Sequence, residues 1–403
     1  MNELSSLGLI LLLALLAGHF VRFLRIPEVT GYILAGVALG PSMFGWVTHD
    51  NLVALEVLSE VALGLILFSI GSVFHFARFV KLGRRILYLT FAESMLAATL
   101  VGLGLVALGQ PWQVACLLGA VAMATAPAST LMVIRECNGT GPLSETLLGI
   151  IALDNILCLF TYSLVVATIG LFGGMGGPAG GLSVWYAALF PLFWQLIGSA
   201  ALGYLVGMLL AGWATRVTEH GELLILLAGS ILLCVGVARI LELSPLIASL
   251  AVGAAMVNLS RRSMGLFDAL SRTDPPFYAI FFVIAGADLD VSLVGSMGLL
   301  GIYYLVARAV GKFLGARVAA RRLGLADSVQ QYLGFGLMAQ AGLAVGLTLA
   351  IDRQFPEYAT VISAVVLSSV VIYEMVGPIA TRFAIEQAGE ARPDEGEPLG
   401  VLT

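Results

Sequence analysis

The sequence has few charged residues, and this scarcity excludes an ordinary water-soluble domain. Only 11% of its 403 residues are Asp, Glu, Lys or Arg, whereas 59% are hydrophobic. Soluble domains carry about 25% charged residues. The apolar residues form successive stretches, each about long enough to cross a lipid bilayer. The composition therefore predicts an all-α polytopic membrane protein.

Cysteine is also scarce, and its spacing indicates neither a disulfide framework nor a metal-binding motif. The four cysteines lie in or beside apolar runs without a CxxC pair: Cys116, Cys137, Cys158 and Cys234. The four histidines are scattered near the ends of apolar runs and form no HExxH motif, so an intramembrane enzyme is not indicated. The N-terminus lacks a basic region and a small-residue cleavage motif, and we expect its first helix to be retained.

Thirteen apolar segments are predicted to span the membrane. Their bounds are 5–22, 28–46, 53–75, 85–109, 113–135, 145–171, 184–212, 222–241, 244–259, 277–294, 295–318, 328–351 and 358–384. We expect residues 1–385 to form the membrane domain. Residues 386–403, which are acidic and contain Pro and Gly, are predicted to be a short disordered cytoplasmic tail. The uncharged segment 172–182 is typical of a flexible linker between the sixth and seventh spans.

The basic residues support this count because they collect on one side of the predicted membrane. If odd-to-even turns are cytoplasmic, the opposite side keeps only Arg239 and Arg353. The positive-inside rule places the basic side in the cytoplasm. We therefore expect a cell (inner) membrane protein with its N-terminus outside and its C-terminus inside.

Two spans contain small or helix-breaking residues at matched positions in the two halves of the chain. The fifth span contains ATAPASTLMV, with Thr125, Pro127 and Ser129, and the twelfth contains MAQAGLAVGL, with Gln340. Proline frees a backbone carbonyl one turn back. The match predicts inverted repeats with two broken, crossing helices, whose free carbonyls face a cavity and coordinate a small cation. The alternative for the fifth span is an ordinary proline kink with packing hydroxyls.

Asp154 lies almost alone in a membrane-length apolar run, with the amide of Asn155 beside it. An acid at a helix centre in the membrane costs roughly 2.5 kcal/mol, so such residues are usually functional. Asp154 therefore indicates a cation or proton site, although a buried acid that merely ties helices together is the alternative. Lys312 follows Arg308 by four residues on one helical face. It is either the counter-charge of Asp154 or a lysine that snorkels to the cytoplasmic rim.

Other acids lie inside or beside the predicted spans. Glu93 and Glu374 fall in the fourth and thirteenth spans, next to the two candidate breaks. We expect them to form structural ion pairs with Arg308 or another core base, rather than to act in transport. Asp288 and Asp290 are expected at the outer mouth of the turn between spans ten and eleven, where they would attract cations.

A series of motifs over residues 1 to about 385 resembles the monovalent cation:proton antiporters, in particular bacterial sodium/proton antiporters and potassium-efflux systems. In order, the motifs are RIPEVTGYILAGVALGP, SEVALGLILFSIG, TAPAS, ALDN, FFVIAGADLD, ARAVGKFLG and GFGLMAQAGLAVGL. The resemblance implies a homodimer in membrane lipid, and from the short tail we expect no C-terminal nucleotide-binding domain. It also implies a core of about residues 85–171 and 295–384 that moves like an elevator against a dimerisation part. The expected activity is exchange of Na⁺ (or K⁺ or Li⁺) for H⁺, with no cofactor and no nucleic-acid partner.

The resemblance also assigns residues. Asp154 matches the first aspartate of the pair in electrogenic members, and Lys312 matches the lysine that pairs with it. The break in the fifth span, and not the resemblance, suggests Thr125 and Ser129 as further oxygen ligands for the cation. Asn155 stands where the second, ion-binding aspartate belongs, and an amide can coordinate a cation but cannot release a proton.

Three explanations for Asn155 stay open at this point. The amide is a substitution that traps one state, a native variant in which Asp154 alone couples ion and proton, or the mark of a member that no longer exchanges protons. Two alternatives to antiport follow: a transporter or channel-like protein of the same fold that is not coupled to protons, and a non-transporting membrane sensor.

Overall fold

The described part of the chain is all α-helical, as the sequence predicts. The computed structural model describes residues 3–71, 76–172, 190–217, 219–260, 267 and 274–392. Within these ranges no residue is in a strand. The predicted linker lies outside the described residues except for Phe172, and so do residues 393–403 of the predicted tail.

The helices follow one another with short connections. The first half contains α1 (Glu3–Phe23), α2 (Glu28–Leu39), α3 (His49–Gly71), α4 (Phe76–Ala107), α5 (Trp112–Ala122), α6 (Pro127–Glu136) and α7 (Pro142–Phe172). The second half begins with α8 (Phe190–Ala214). It continues with α9 (His220–Ile240), α10 (Pro245–Leu259), α11 (Asp274–Ala287), α12 (Ser292–Ser296), α13 (Gly298–Arg322), α14 (Asp327–Gly336), α15 (Gly342–Gln354) and α16 (Pro356–Gln387).

The lengths and compositions of the helices are those of a multi-pass membrane protein. Among the described residues, nine helical segments are long and apolar enough to cross a membrane, and α5 and α6 count together as one of them. The shorter α2, α10 and α11 are also apolar. The pair α14 and α15 occupies the predicted twelfth span. The number of thirteen crossings stays a prediction.

Two predicted spans were too long at their C-terminal ends. The second was predicted to reach residue 46, but α2 ends at Leu39 because Gly40 is extended, with ψ 176°, and Pro41 disfavours a helical residue before it. The tenth was predicted to reach residue 294, but α11 ends at Ala287. Asp288 and Asp290 lie in the turn that follows, where the carboxylate of Asp290 accepts a hydrogen bond from the Ser292 N–H at 3.0 Å.

The fifth and twelfth predicted spans are both broken, which confirms the broken-helix interpretation over a simple kink. Pro127 opens α6, a position where its missing N–H would have had no helical partner. The two breaks, between α5 and α6 and between α14 and α15, meet at the backbone. There the Ala126 N–H donates to the Ala339 carbonyl at 3.0 Å. The inverted-repeat relation between the two halves stays a prediction.

Buried apolar side chains connect the helices in separate clusters. Helices α4 to α7 and α13 to α16 share two of these clusters. A third joins α1, α2, α3 and α11, together with residues of α6 and α7, and a fourth joins α3 with α8, α9 and α10. The division into a moving core and a dimerisation part stays a prediction. The helices predicted for the core are those that share the first two clusters.

The chain beyond α16 returns to the start of α7, the helix that carries Asp154. The buried carboxylate of Glu390 accepts hydrogen bonds from the Leu143 N–H at 2.7 Å and from the Ser144 N–H at 2.8 Å. Free N–H groups at a helix N-terminus favour a carboxylate there. The beginning of the segment predicted to be disordered is therefore ordered, up to Arg392.

Candidate ion site

Asp154 and Lys312 form a fully buried ion pair. Both side chains have 0% exposure, and Lys312 Nζ lies 2.6 Å from Asp154 Oδ2. Asp154 lies in the middle of α7, and Lys312 reaches it from α13. The expected ion pair is present, and the snorkelling alternative is wrong, because the ammonium is buried inside the protein; the role of Lys312 in transport stays a prediction.

The Lys312 ammonium has three hydrogen-bond acceptors around it. It donates to the Met123 carbonyl at 2.6 Å, to Thr125 Oγ1 at 2.8 Å and to Asp154 Oδ2 at 2.6 Å. A protonated lysine has three N–H donors and no acceptor. Lys312 therefore links the break after α5 to the carboxylate on α7.

Two hydroxyl groups complete the surroundings of the Asp154 carboxylate. Thr125 donates to Asp154 Oδ2, and Ser94 on α4 lies within hydrogen-bonding distance of Asp154 Oδ1. Thr125 was predicted from the sequence, but Ser94 was missed. The sequence carries no sign that distinguishes Ser94 from other helical serines, and only the packing of α4 against α7 reveals it.

Glu93, the residue before Ser94, joins the same cluster. Its carboxylate is also fully buried, and Oε2 lies 2.9 Å from Lys312 Nζ. The two atoms are close enough for an ion pair but are not aligned for a hydrogen bond, and Oε2 has no hydrogen-bond partner among the described residues. The prediction of an ion pair with a core base is confirmed, with Lys312 rather than Arg308 as the base.

Two glycines of α13 allow this cluster to form. Gly311 packs on Ala97 of α4, and a Cβ atom added at Gly315 would lie 2.5 Å from Glu93 Cα. Small residues spaced by four let two membrane helices approach closely. The motif GKFLG therefore brings Lys312, which it contains, against the helix that carries Glu93.

Arg308 binds the two helix breaks rather than an acid. Its guanidinium donates to the carbonyls of Ala122 at 3.0 Å, Ala124 at 2.7 Å, Met338 at 2.8 Å and Ala339 at 3.3 Å. It also lies 4.3 Å from the centre of the Tyr373 ring. The expected ion pair of Arg308 with Glu93 or Glu374 is wrong, because backbone carbonyls from both breaks occupy its donors.

The carbonyls at the first break are therefore not free, contrary to the expectation. Those of Ala122 and Ala124 accept from Arg308, and that of Met123 accepts from Lys312. Gln340, at the second break, donates to the Val121 carbonyl at 3.0 Å and to the Tyr304 hydroxyl at 3.0 Å. Basic and amide side chains therefore satisfy the carbonyls of Val121, Ala122, Met123 and Ala124.

Several buried side-chain oxygens do lack a hydrogen-bond partner within the described ranges. They are Glu93 Oε2, Ser129 Oγ, Asn155 Oδ1, Gln340 Oε1 and Glu374 Oε2. Carboxylate, amide and hydroxyl oxygens are the ligands that hard cations prefer. Asn155 is the residue next to Asp154 on α7, so its free amide oxygen is a candidate ligand beside the buried ion pair.

Comparison with known proteins places nearly the whole chain in one family. The family model described as "Sodium/hydrogen exchanger, transmembrane" matches residues 8–382. The chain is 24% identical to the ammonium/H⁺ antiporter subunit AmhT of Alkalihalophilus pseudofirmus, over 94% of this chain and 95% of that protein. It is 29% identical to the iron transporter MagA of Paramagnetospirillum magneticum, over 90% of this chain and 83% of that protein.

Two further similarities concern chain length and fold. The chain is 24% identical to the glutathione-regulated potassium-efflux protein KefC of Klebsiella pneumoniae, and the match covers 94% of this chain but only 61% of KefC. The structure is similar to that of the sodium/proton antiporter MjNhaP1 of Methanocaldococcus jannaschii, with a TM-score of 0.73 and 17% identity. That match covers 97% of this chain and 99% of that one. At this identity the likeness shows a shared fold.

Proposed function

Because the chain belongs to the sodium/hydrogen exchanger family, a family of membrane transporters, we propose that it exchanges Na⁺ for protons across the membrane. The observation that supports this proposal most directly is the buried pair of Asp154 and Lys312 beside two helix breaks. An ion pair of this kind is a weak source of stability, because the desolvation of both charges offsets much of their attraction. Ionisable residues inside a membrane usually mark an ion pathway.

In the proposed mechanism, cation and proton compete for the carboxylate site. Asp154 holds the cation together with the amide oxygen of Asn155 and the hydroxyls of Thr125 and Ser129. Lys312 neutralises Asp154 when no cation is bound. Because moving an uncompensated charge through a low-dielectric region is costly, only a neutralised core crosses the membrane readily. Movement of that core as an elevator is the part of the mechanism that rests on the family resemblance.

Sodium is the first candidate among several cations. The relatives' names refer to ammonium, potassium and iron as well as sodium. Cation preference in such sites depends on cavity size and on the number of ligands. We therefore propose Na⁺ as substrate, with K⁺, Li⁺ and NH₄⁺ as the cations to compare with it.

Antiport in proteoliposomes tests the proposed function. Addition of a transported cation is expected to change the pH inside the proteoliposomes rapidly. The direction of the change depends on the imposed gradient, and a pH-sensitive dye reports it. Asp154→Asn should lower the initial rate on the order of 100-fold or more, because it removes the ionised ligand. Asp327→Asn, which alters an exposed acid on α14, is the control and should stay within about twofold.

The variant Asn155→Asp identifies the contribution of the amide in the same assay. If the amide only weakens cation binding, Asn155→Asp should raise the rate and leave the wild type measurably active. An inactive wild type that Asn155→Asp restores would show that the amide disables exchange. No response to any of the four cations in either form would overturn the antiporter proposal.

A second candidate function is cation transport without proton coupling. The observation that favours it is Asn155, an amide that cannot release a proton, at the position where the resemblance implies a carboxylate. Uptake of a labelled cation should then survive collapse of the pH gradient by a proton ionophore under a clamped potential. Loss of uptake under these conditions would favour antiport.

We further propose a homodimer in the cell membrane, with the N-terminus outside. The support is the family resemblance and the distribution of basic residues. Native mass spectrometry from detergent should show a dimer, and monomers alone would contradict it. Single cysteines introduced at each terminus of a background without the native cysteines should react differently with a membrane-impermeant maleimide in intact cells.

A further inference from the structure

The buried core holds more acids than bases. Within the described helices, five carboxylic-acid and basic side chains are buried there, the acids Glu93, Asp154 and Glu374 and the bases Lys312 and Arg308. Fully ionised, they would leave one negative charge, and so would the contacting group of Glu93, Asp154 and Lys312 alone. An uncompensated charge in a low-dielectric interior is costly enough that the group binds a proton or a counter-ion instead. One bound proton or one bound monovalent cation would therefore neutralise the core.

The hydrogen bonds around Ser94 indicate where that proton resides. Ser94 Oγ lies 2.9 Å from Glu93 Oε1 and also within hydrogen-bonding distance of Asp154 Oδ1. A hydroxyl carries one hydrogen and can donate to only one of these two oxygens. The other contact is a hydrogen bond only if the carboxyl group itself donates to Ser94. Both contacts are hydrogen bonds together when Glu93 and Asp154 share one acidic hydrogen.

The other partners of the two acids favour Glu93 as its carrier. Asp154 Oδ2 accepts from both Lys312 and Thr125, and hydrogen bonds to a carboxylate stabilise its ionised form. Glu93 shares Lys312 as an ion-pair partner at 2.9 Å, but the Thr125 hydroxyl donates to Asp154 and not to Glu93. The arrangement Glu93 Oε1–H to Ser94 Oγ, and Ser94 O–H to Asp154 Oδ1, satisfies every one of these contacts.

We propose that Glu93 is the second acid of the exchange site and carries the exchanged proton, with Ser94 as the relay to Asp154. This inference rests on the proposed function and names the residue that couples it to protons. A proton leaves the Glu93 carboxyl as a monovalent cation binds between the Glu93 and Asp154 carboxylates. The sum of charges in the site stays at zero, so one proton exchanges for one cation and transport is electroneutral. Because the proton comes from Glu93, exchange does not require Asn155 to release one.

The groups facing Glu93 are few, so the pH response of exchange should follow this residue. Helix α13 brings Lys312 and Arg308, and α7 brings Asp154 and the Cys158 thiol, which donates to the Ala120 carbonyl. The third helix packed on this part of α4 is α5, and its range contains no Asp, Glu, His, Lys or Arg. The two acids in this group are Glu93 and Asp154. Of these, only Glu93 has a carboxylate oxygen, Oε2, without a hydrogen-bond partner among the described residues.

Proton release on cation binding tests the proposal directly. The purified wild-type protein in weakly buffered detergent solution, mixed with Na⁺, K⁺, Li⁺ or NH₄⁺, is expected to release about one proton per chain, in line with the charge balance of the site. Glu93→Gln should release none and should exchange on the order of 100-fold more slowly in proteoliposomes. Glu60→Gln, an acid on α3 that pairs with Arg239, is the matched control and should behave as the wild type.

Further variants keep the test decisive if Glu93→Gln does not fold. Glu93→Asp retains an acid and should exchange with a shifted pH profile, whereas Ser94→Ala should slow exchange without abolishing proton release. Two results would overturn the role of Glu93 and leave the proposed function intact. One is an unchanged pH profile of exchange for Glu93→Asp, and the other is proton release on cation binding by a folded Glu93→Gln. A wild type whose exchange responds to an imposed membrane potential would overturn the electroneutral step. A wild type that neither exchanges nor releases protons would overturn this inference together with the proposed function.

Discussion

Replacement of Lys312 by methionine is expected to abolish exchange and to destabilise the protein by about 3–5 kcal/mol, because it leaves buried carboxylates without their cation. Lys312 is fully buried and lies 2.6 Å from Asp154 and 2.9 Å from Glu93. It also donates to the Met123 carbonyl at the first break. A methionine fills a similar volume but supplies neither the charge nor the three hydrogens. The measurement is the midpoint of thermal unfolding in detergent, together with cation-driven proton movement in proteoliposomes.

A double-mutant cycle separates the charge effect from loss of packing. In Lys312→Met combined with Asp154→Asn, one of the stranded acids becomes neutral. Part of the lost stability should therefore return, although exchange should not. The coupling energy of contacting residues is typically about 0.5–3 kcal/mol. Equal stability of Lys312→Met and the wild type would contradict this prediction. It would mean that Glu93 and Asp154 are neutral in the folded variant and that the ion pair does not stabilise the fold.

Replacement of Arg308 by leucine is expected to have the second large effect, a loss of about 3 kcal/mol or more, since several backbone carbonyls would lose a charged donor. Arg308 donates to carbonyls on both sides of the crossing, at Ala122 and Ala124 and at Met338 and Ala339. Leucine would leave these carbonyls buried without a donor. The two breaks would then keep the hydrogen bond from Ala126 to Ala339 and the bond from the Gln340 amide to the Val121 carbonyl.

Two comparisons make the Arg308 prediction specific. Arg308→Lys should recover only part of the stability, because an ammonium has three hydrogens and lacks the planar fork of the guanidinium. Arg321→Gln alters an exposed arginine on the same helix and should change stability by about 0.5 kcal/mol or less. Unfolding in detergent, followed by intrinsic fluorescence, gives all three values. Equal stability of Arg308→Leu and wild type would show that water can replace the guanidinium at the breaks.

Much of the fold was predictable because the bilayer constrains the sequence strongly. Backbone polar groups in lipid must be satisfied within the segment, so apolar runs of sufficient length form helices. The breaks at TAPAS and at Gln340 were predictable for a related reason, since proline and consecutive small residues interrupt a helix locally. The ends of α2 and α11 were predicted too far along the chain. Apolar composition continued past Leu39 and Ala287, and only the turn geometry ends the helices there.

The candidate site was predictable in part. Asp154 and Lys312 stood out because a charge inside a membrane-length apolar run is costly and therefore conspicuous. The partners of Arg308 were not predictable, because backbone carbonyls have no sequence signal. Ser94 was missed for a similar reason, since one serine in a helix is compatible with many roles.

The sequence by itself determined that this protein is a helical membrane protein with an acid inside a membrane-length apolar run and helix-breaking residues in two spans. These properties follow from composition, from local backbone chemistry and from the cost of charge in lipid. Only the tertiary structure decided that Glu93 and Ser94 of α4 join Asp154 of α7 and Lys312 of α13 in one cluster. That meeting depends on the close approach of α4 and α13 at two glycines. It also depends on contacts between residues far apart in the sequence, from the 60 positions between Ser94 and Asp154 to the 219 between Glu93 and Lys312.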